Sequence, residues 1–136
     1  MSSALEPATE RVLLTGPRSV VEEALARLND HDLDGYHALL HDDVVITGTG
    51  ETCGLEANRV LDATLFDALP DHWRRVDRIL ETGDKVAVWL TFGATASATQ
   101  TSFELEVCDI IEVRDGRITS ITMYGDWVPM YAAVQG

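Results

Sequence analysis

A chain of 136 residues, 46% of them hydrophobic and 24% charged, is long enough for one domain with one core and too apolar to stay unfolded as a whole. Its 23 acidic residues outnumber 10 basic ones, giving a formal net charge of −13, so it has no long-range attraction to nucleic acid or to an anionic membrane surface. Cys53 and Cys108 make no disulfide framework, residues 1–17 lack the apolar run of an export signal, and no stretch approaches the roughly 20 apolar residues of a membrane helix, so the expected home is a reducing cytoplasm.

Residues 1–17 read as a loose arm and residues 18–136 as a single domain. Val20, Val21, Ala24, Leu25 and Leu28 recur at helical spacing and predict a helix over 18–29. Asn29-Asp30-His31-Asp32 breaks it. A short second helix is expected over 33–40, stopped by Asp42-Asp43, and 44–47 reads as a strand. Gly48, Gly50 and Gly54 punctuate the loop that follows. A third helix is expected over 55–69, closed by Pro70.

Beyond Pro70 the hydrophobic period changes to two. Strands are expected over 72–81, 85–96, 101–114 and 117–127, with turns at Gly83-Asp84 and Asp115-Gly116. Helices first and strands later predict an α+β fold, three N-terminal helices on one face of an antiparallel sheet. In 103–114 one parity holds Phe103, Leu105, Val107, Asp109, Ile111 and Val113, so a carboxylate stands on an otherwise apolar face. A buried carboxylate must be paired, hydrogen-bonded or protonated, which makes Asp109 the leading site candidate.

Three segments carry a family resemblance. They are the opening from Asn29-Asp30-His31-Asp32-Leu33-Asp34-Gly35 to Asp42-Asp43-Val44, the helix from Gly54 to Pro70-Asp71, and the hairpin Cys108-Asp109-Ile110-Ile111-Glu112-Val113-Arg114-Asp115-Gly116-Arg117-Ile118. In this order and spacing the chain resembles the nuclear-transport-factor-2-like superfamily, and within it the SnoaL-like polyketide cyclases. The resemblance implies a curved antiparallel sheet that forms a cone around an apolar pocket, with acids or phenols that move protons without a cofactor. Asp109 falls where ketosteroid isomerases place an oxyanion-holding acid. Ala24, Gly48 and Met123 fall where relatives keep a tyrosine, an aspartate or asparagine, and a principal acid, so no one family activity transfers whole.

The third helix supplies replacements. Asn58 and Asp62 lie four residues apart on one helical face. The resemblance aims that face at the pocket, so Asp62 is expected to share it with Asp109, one as proton donor and one as acceptor. Asn58, Trp73, Phe92, Ile111, Met123 and His72 are expected to contact the substrate, with no metal and no cofactor. His37 and His41 have metal-compatible spacing, but no third ligand is signposted and exposed histidines are the plainer reading. Trp89, Ile110 and Tyr124 fall on the outer sheet face, where relatives often form homodimers. Three functions remain open: an acid–base enzyme (cyclase, isomerase, dehydratase or epoxide-opening) acting on a small apolar polyketide- or terpenoid-like molecule, a dimeric ligand-binding protein, and a structural dimer with a filled cone.

Overall fold

The computed structural model describes residues 16–48 and 51–136. Of the loose arm expected over 1–17, all but the last two residues lies outside this range, as does Gly50. Gly16 is the N-cap of helix α1 (Pro17–Asn29), and Pro17 opens its first turn, where a missing N–H costs nothing. Val20, Val21, Ala24, Leu25 and Leu28 are all buried along one stripe, as the spacing requires.

Helix α2 (Leu33–His37) is capped by Asp32, whose carboxylate accepts from the Gly35 amide at 2.9 Å. It stops three residues short of the expected end. Leu40 instead opens strand β1 (Leu40–Gly48) and pairs with Ile118, burying its side chain, so tertiary pairing overrides local helical preference. The loop expected after β1 contains a short strand, β2 (Glu51–Cys53). Helix α3 (Leu55–Ala68), strands β3 (Trp73–Thr82), β4 (Lys85–Thr95), β5 (Ser102–Arg114) and β6 (Arg117–Gly125), and helix α4 (Val128–Gln135) complete the order.

The six-stranded sheet runs β2-β1-β6-β5-β4-β3. From β3 to β6 it is the expected antiparallel meander. The β1–β6 pair is parallel, so the sheet as a whole is mixed, a correction to the purely antiparallel expectation. Strand β1 enters after the helices rather than through a hairpin, which frees it to run alongside β6. The expected strand over 117–127 ends at Gly125. Trp127 caps α4, which sequence reading missed although Pro129 sits in its first turn.

Strand parity decides what faces the helices. Val86, Val88, Leu90, Phe92 and Ala94 of β4 are buried with Leu105, Val107, Ile111 and Val113 of β5, against α1 residues Val20, Val21 and Leu25. Each such Val, Leu, Ile or Phe side chain stabilises the fold by about 1.5–3 kcal/mol on burial. Trp89 and Tyr124 are exposed on the opposite parity. Trp73 pairs with Gly93 and its indole lies across that glycine, so it shares the parity of Trp89 rather than of Phe92. Strand β3 is a sheet edge, and Asn29 at the end of α1 covers it: its carboxamide oxygen accepts from the Arg74 amide at 2.8 Å while its nitrogen donates to the Arg74 carbonyl at 2.9 Å.

Candidate functional site

Helices and sheet enclose a cavity of about 490 Å³, within the range of small-molecule sites. Val21, Leu25, Leu90, Phe92, Ile111 and Met123 form much of its apolar wall. Exposed Glu51, Leu61 and Tyr131 also line it, so the mouth lies between β2, α3 and α4. Among the described residues, the ionisable or amide side chains deeper in the lining are those of Tyr36, Asn58, Asp62, Arg74 and Asp109.

Asp109 is placed in the cavity wall by β5, paired with Val88 on one side and Met123 on the other. Its Oδ1 is buried and has no hydrogen-bond partner among the described residues. Desolvation raises its pKa to about 7, with the Arg74 charge pulling the other way. The group is therefore divided between acid and carboxylate near neutral pH.

Asp62 is differently equipped. Asn58 donates to its Oδ2 at 3.0 Å, across one turn of α3, and His37 Nε2 meets the same oxygen at 2.8 Å from α2. Desolvation raises the Asp62 pKa, while the His37 hydrogen bond and charge, Arg74 and Asn58 hold it down. Asn58 and His37 are themselves buried. Tyr36, the neighbour of His37, lines the cavity, and its phenol is pushed above its usual range by desolvation and then by Asp62. Both Tyr36 and Arg74 feel both carboxylates. Arg74 is lowered to about 10 by desolvation, and these same acids oppose the shift.

Of the residues expected from sequence, Asp109, Asp62, Asn58, Phe92, Ile111 and Met123 all line the cavity. Trp73 does not, because its parity turns it outward onto Gly93. His72 does not line it either: its ring stacks on Phe66 and on His31, each at 4.2 Å, and its Nδ1 accepts from Arg74 Nη1 at 3.1 Å. Desolvation, then Arg74, lowers its pKa to about 4. His37 and His41 do not share a helix face, since His41 lies on β1 and its Nδ1 accepts from the Asp43 amide. Cys53 lines the mouth and Cys108 faces away from the cavity; burial raises both thiols, which keeps them protonated.

Sequence reading missed Tyr36 and Arg74, and it expected an exposed His37 where the structure buries that ring against Asp62. Arg74 was findable in principle, because pairing with Phe92 puts it on the pocket parity. The direction of His37 depends on how a five-residue helix docks on α3, which no local pattern carries. Gly48 and Met123, two of the three positions expected to differ from relatives, meet in space: the Met123 methyl lies where a Cβ on Gly48 would project, so an apolar contact occupies that part of the wall.

A helix-backed curved sheet closing on an apolar cavity with a few convergent acids defines a cone-shaped small-molecule pocket protein of the α+β class. The sequence model of the SnoaL-like domain matches residues 21–121, and the chain belongs to that family. Comparison with curated proteins finds no match. Among solved structures, the chain is similar to AclR, a proposed hydroxylase of Streptomyces galilaeus (TM-score 0.79, 19% identity, 88% of this chain and 95% of that one covered). It is also similar to IdmH, a proposed polyketide cyclase of Streptomyces antibioticus (0.76, 26%, 88% and 99%). An LEH-like epoxide hydrolase of M. tuberculosis is a third (0.71, 26%, 85% and 86%).

Proposed function

We propose that this protein is an acid–base enzyme, working without a cofactor on a small, mostly apolar molecule of polyketide or terpenoid character. The observation that carries the reading is the Asp109 carboxyl in the cavity wall, unpartnered at Oδ1 among the described residues and poised near neutral pH. In its acid form it donates a proton or a hydrogen bond to a substrate oxygen. Asp62, held by His37 and Asn58, accepts a proton from the substrate skeleton. Asn58 and Tyr36 orient the molecule, and the apolar wall keeps water away so that these dipoles act at full strength. Cyclisation, isomerisation, dehydration and epoxide opening all use such a pair. Similarity to IdmH and to the LEH-like hydrolase supports the reading.

A second reading is a binding protein without turnover. Its support is the Met123–Gly48 contact, which puts a methyl where relatives keep acids. One experiment separates the two. Tetralone is followed by NMR in deuterium oxide for α-proton exchange, and styrene oxide for ring opening. The enzyme reading expects at least one process to exceed the buffer rate and to vanish in Asp109→Asn. Binding of both molecules without reaction would establish the second reading instead. A homodimer through the outer sheet face belongs to the same proposal; exposed Trp89 and Tyr124 favour it, and a single-chain mass at sedimentation equilibrium would contradict it.

A further inference from the structure

Among the described residues, the cavity lining contains one cationic side chain, Arg74. A guanidinium in such a place is expected to face a carboxylate. Here it forms no ion pair among the described residues, and its one hydrogen bond goes to the uncharged ring of His72. Asp62 commits its Oδ2 to His37 and Asn58. Asp109 lies two strands away in the sheet and four residues further along β4, offset by about 10 Å across and about 13 Å along the strands. Its Oδ1 has no hydrogen-bond partner among the described residues, although the Arg74 charge acts on it. The other Arg74 N–H donors have no hydrogen-bond partner among the described residues, and a partly desolvated charge in the cavity lining gains from an anion that meets it.

The guanidinium is also braced. Its Cζ lies 5.1 Å from the centre of the Phe66 ring and 4.7 Å from that of Phe92. His72 accepts from Nη1, and the lowered His72 pKa keeps that acceptor free at neutral pH. Phe66 stacks on the His72 ring and His31 packs against it at a tilt, and His31 takes a left-handed backbone (φ 60) and donates from Nε2 to the His72 carbonyl at 2.8 Å. Asn29 holds the Arg74 backbone on both sides. Asn29 and His31, two residues of the break between α1 and α2, therefore brace this one side chain.

We propose that Arg74 anchors the cavity's ligand through a planar two-oxygen anion, a carboxylate or the enolate of a β-dicarbonyl, on an otherwise apolar frame, and that His72 is the positioning residue that holds the guanidinium in place. The inference rests on reading this cavity as the reactive site, and it narrows the substrate class. A guanidinium fork matches two oxygens in one plane, and a neutral Asp109 faces the same space as a further donor.

Isothermal calorimetry with three probes of similar size tests it: a naphthalene carboxylate, the matching neutral carboxamide, and an aryl indanedione that is an enolate at neutral pH. The expected result is that one or both anions bind about tenfold or more tighter than the carboxamide. Which anion wins identifies the source of the charge. Arg74→Gln is expected to abolish the preference while leaving carboxamide affinity unchanged, and Arg74→Lys to keep part of it. His72→Leu should weaken the preference for the anion without changing carboxamide affinity, and His72→Gln, which restores an acceptor, should recover it; a merely structural role would move both probes together. Circular dichroism checks that each variant folds. Equal affinity for charged and neutral probes, or no binding of either anion, overturns the proposal. Asp109→Asn should keep the anion preference while losing turnover, so failure of the catalytic reading and failure of this one give different results.

Discussion

His37 Nε2 and Asp62 Oδ2 lie 2.8 Å apart, joining a five-residue helix to the face of α3 that lines the cavity. The histidine is buried and the carboxylate nearly so, with side-chain exposures of 5% and 17%. The contact gives Asp62 a fixed orientation and offsets much of the desolvation that would otherwise protonate it.

Replacing His37 with Phe keeps a ring of similar size and removes the hydrogen bond. The Asp62 pKa should then rise further, since desolvation remains and its main opposing contributions are lost. Any activity that uses Asp62 as base should fall about 10²–10⁴-fold at neutral pH. Stability should fall by about 1–3 kcal/mol, read from urea unfolding. Turnover equal to that of the wild type would remove Asp62 and His37 from the chemistry.

Asp109 predicts a pH dependence of stability. Its native pKa of about 7 exceeds the unperturbed value of 3.8, so between these values the native state binds the proton that the unfolded chain releases. Stability is then highest at the acid end of that window, declines as pH rises through it, and levels off above about 7. The contribution is on the order of 4 kcal/mol. Asp109→Asn should lack this decline, and should exceed the wild type in stability near pH 8 by about that order. Parallel slopes for the two proteins in urea unfolding across the window would show that the carboxyl titrates normally.

Asn29→Ala removes both bonds to the Arg74 backbone at the sheet edge. A loss of about 1–2 kcal/mol is expected, because the pair is exposed and water replaces part of it. Hydrogen exchange should quicken at the Arg74 amide more than at β5 amides. Uniform protection loss across the sheet would contradict a local clamp.

Gly93→Ala tests the placement of Trp73. A methyl at this position would run into the indole, which must move off the sheet. Destabilisation of about 1–3 kcal/mol is expected, with a change in tryptophan emission. Unchanged ligand affinity would accompany it, since Trp73 lies outside the cavity lining.

Much of the architecture was legible because it follows from periodicity. The α1 stripe from Val20 to Leu28 and the alternation in β5 each require one buried face, and both have it. Asp109 stood out for the same reason, as the one carboxylate on an apolar parity. What escaped depends on contacts distant in sequence. Leu40 leaves the helix because Ile118 pairs with it, more than seventy residues away. Arg74 is held by Phe66, Phe92 and His72 together, and Trp73 and His72 leave the pocket through parity and stacking that composition does not encode.

The central claim is that a carboxyl in this cavity changes charge near neutral pH. Infrared difference spectroscopy of the wild type against Asp109→Asn, across a pH series, reads that carboxyl without any substrate. The account predicts a protonated-carboxyl C=O band that is absent in the variant and disappears from the wild type with a midpoint of about 7. A band lost already near pH 4, the range of an ordinary aspartate, would contradict it.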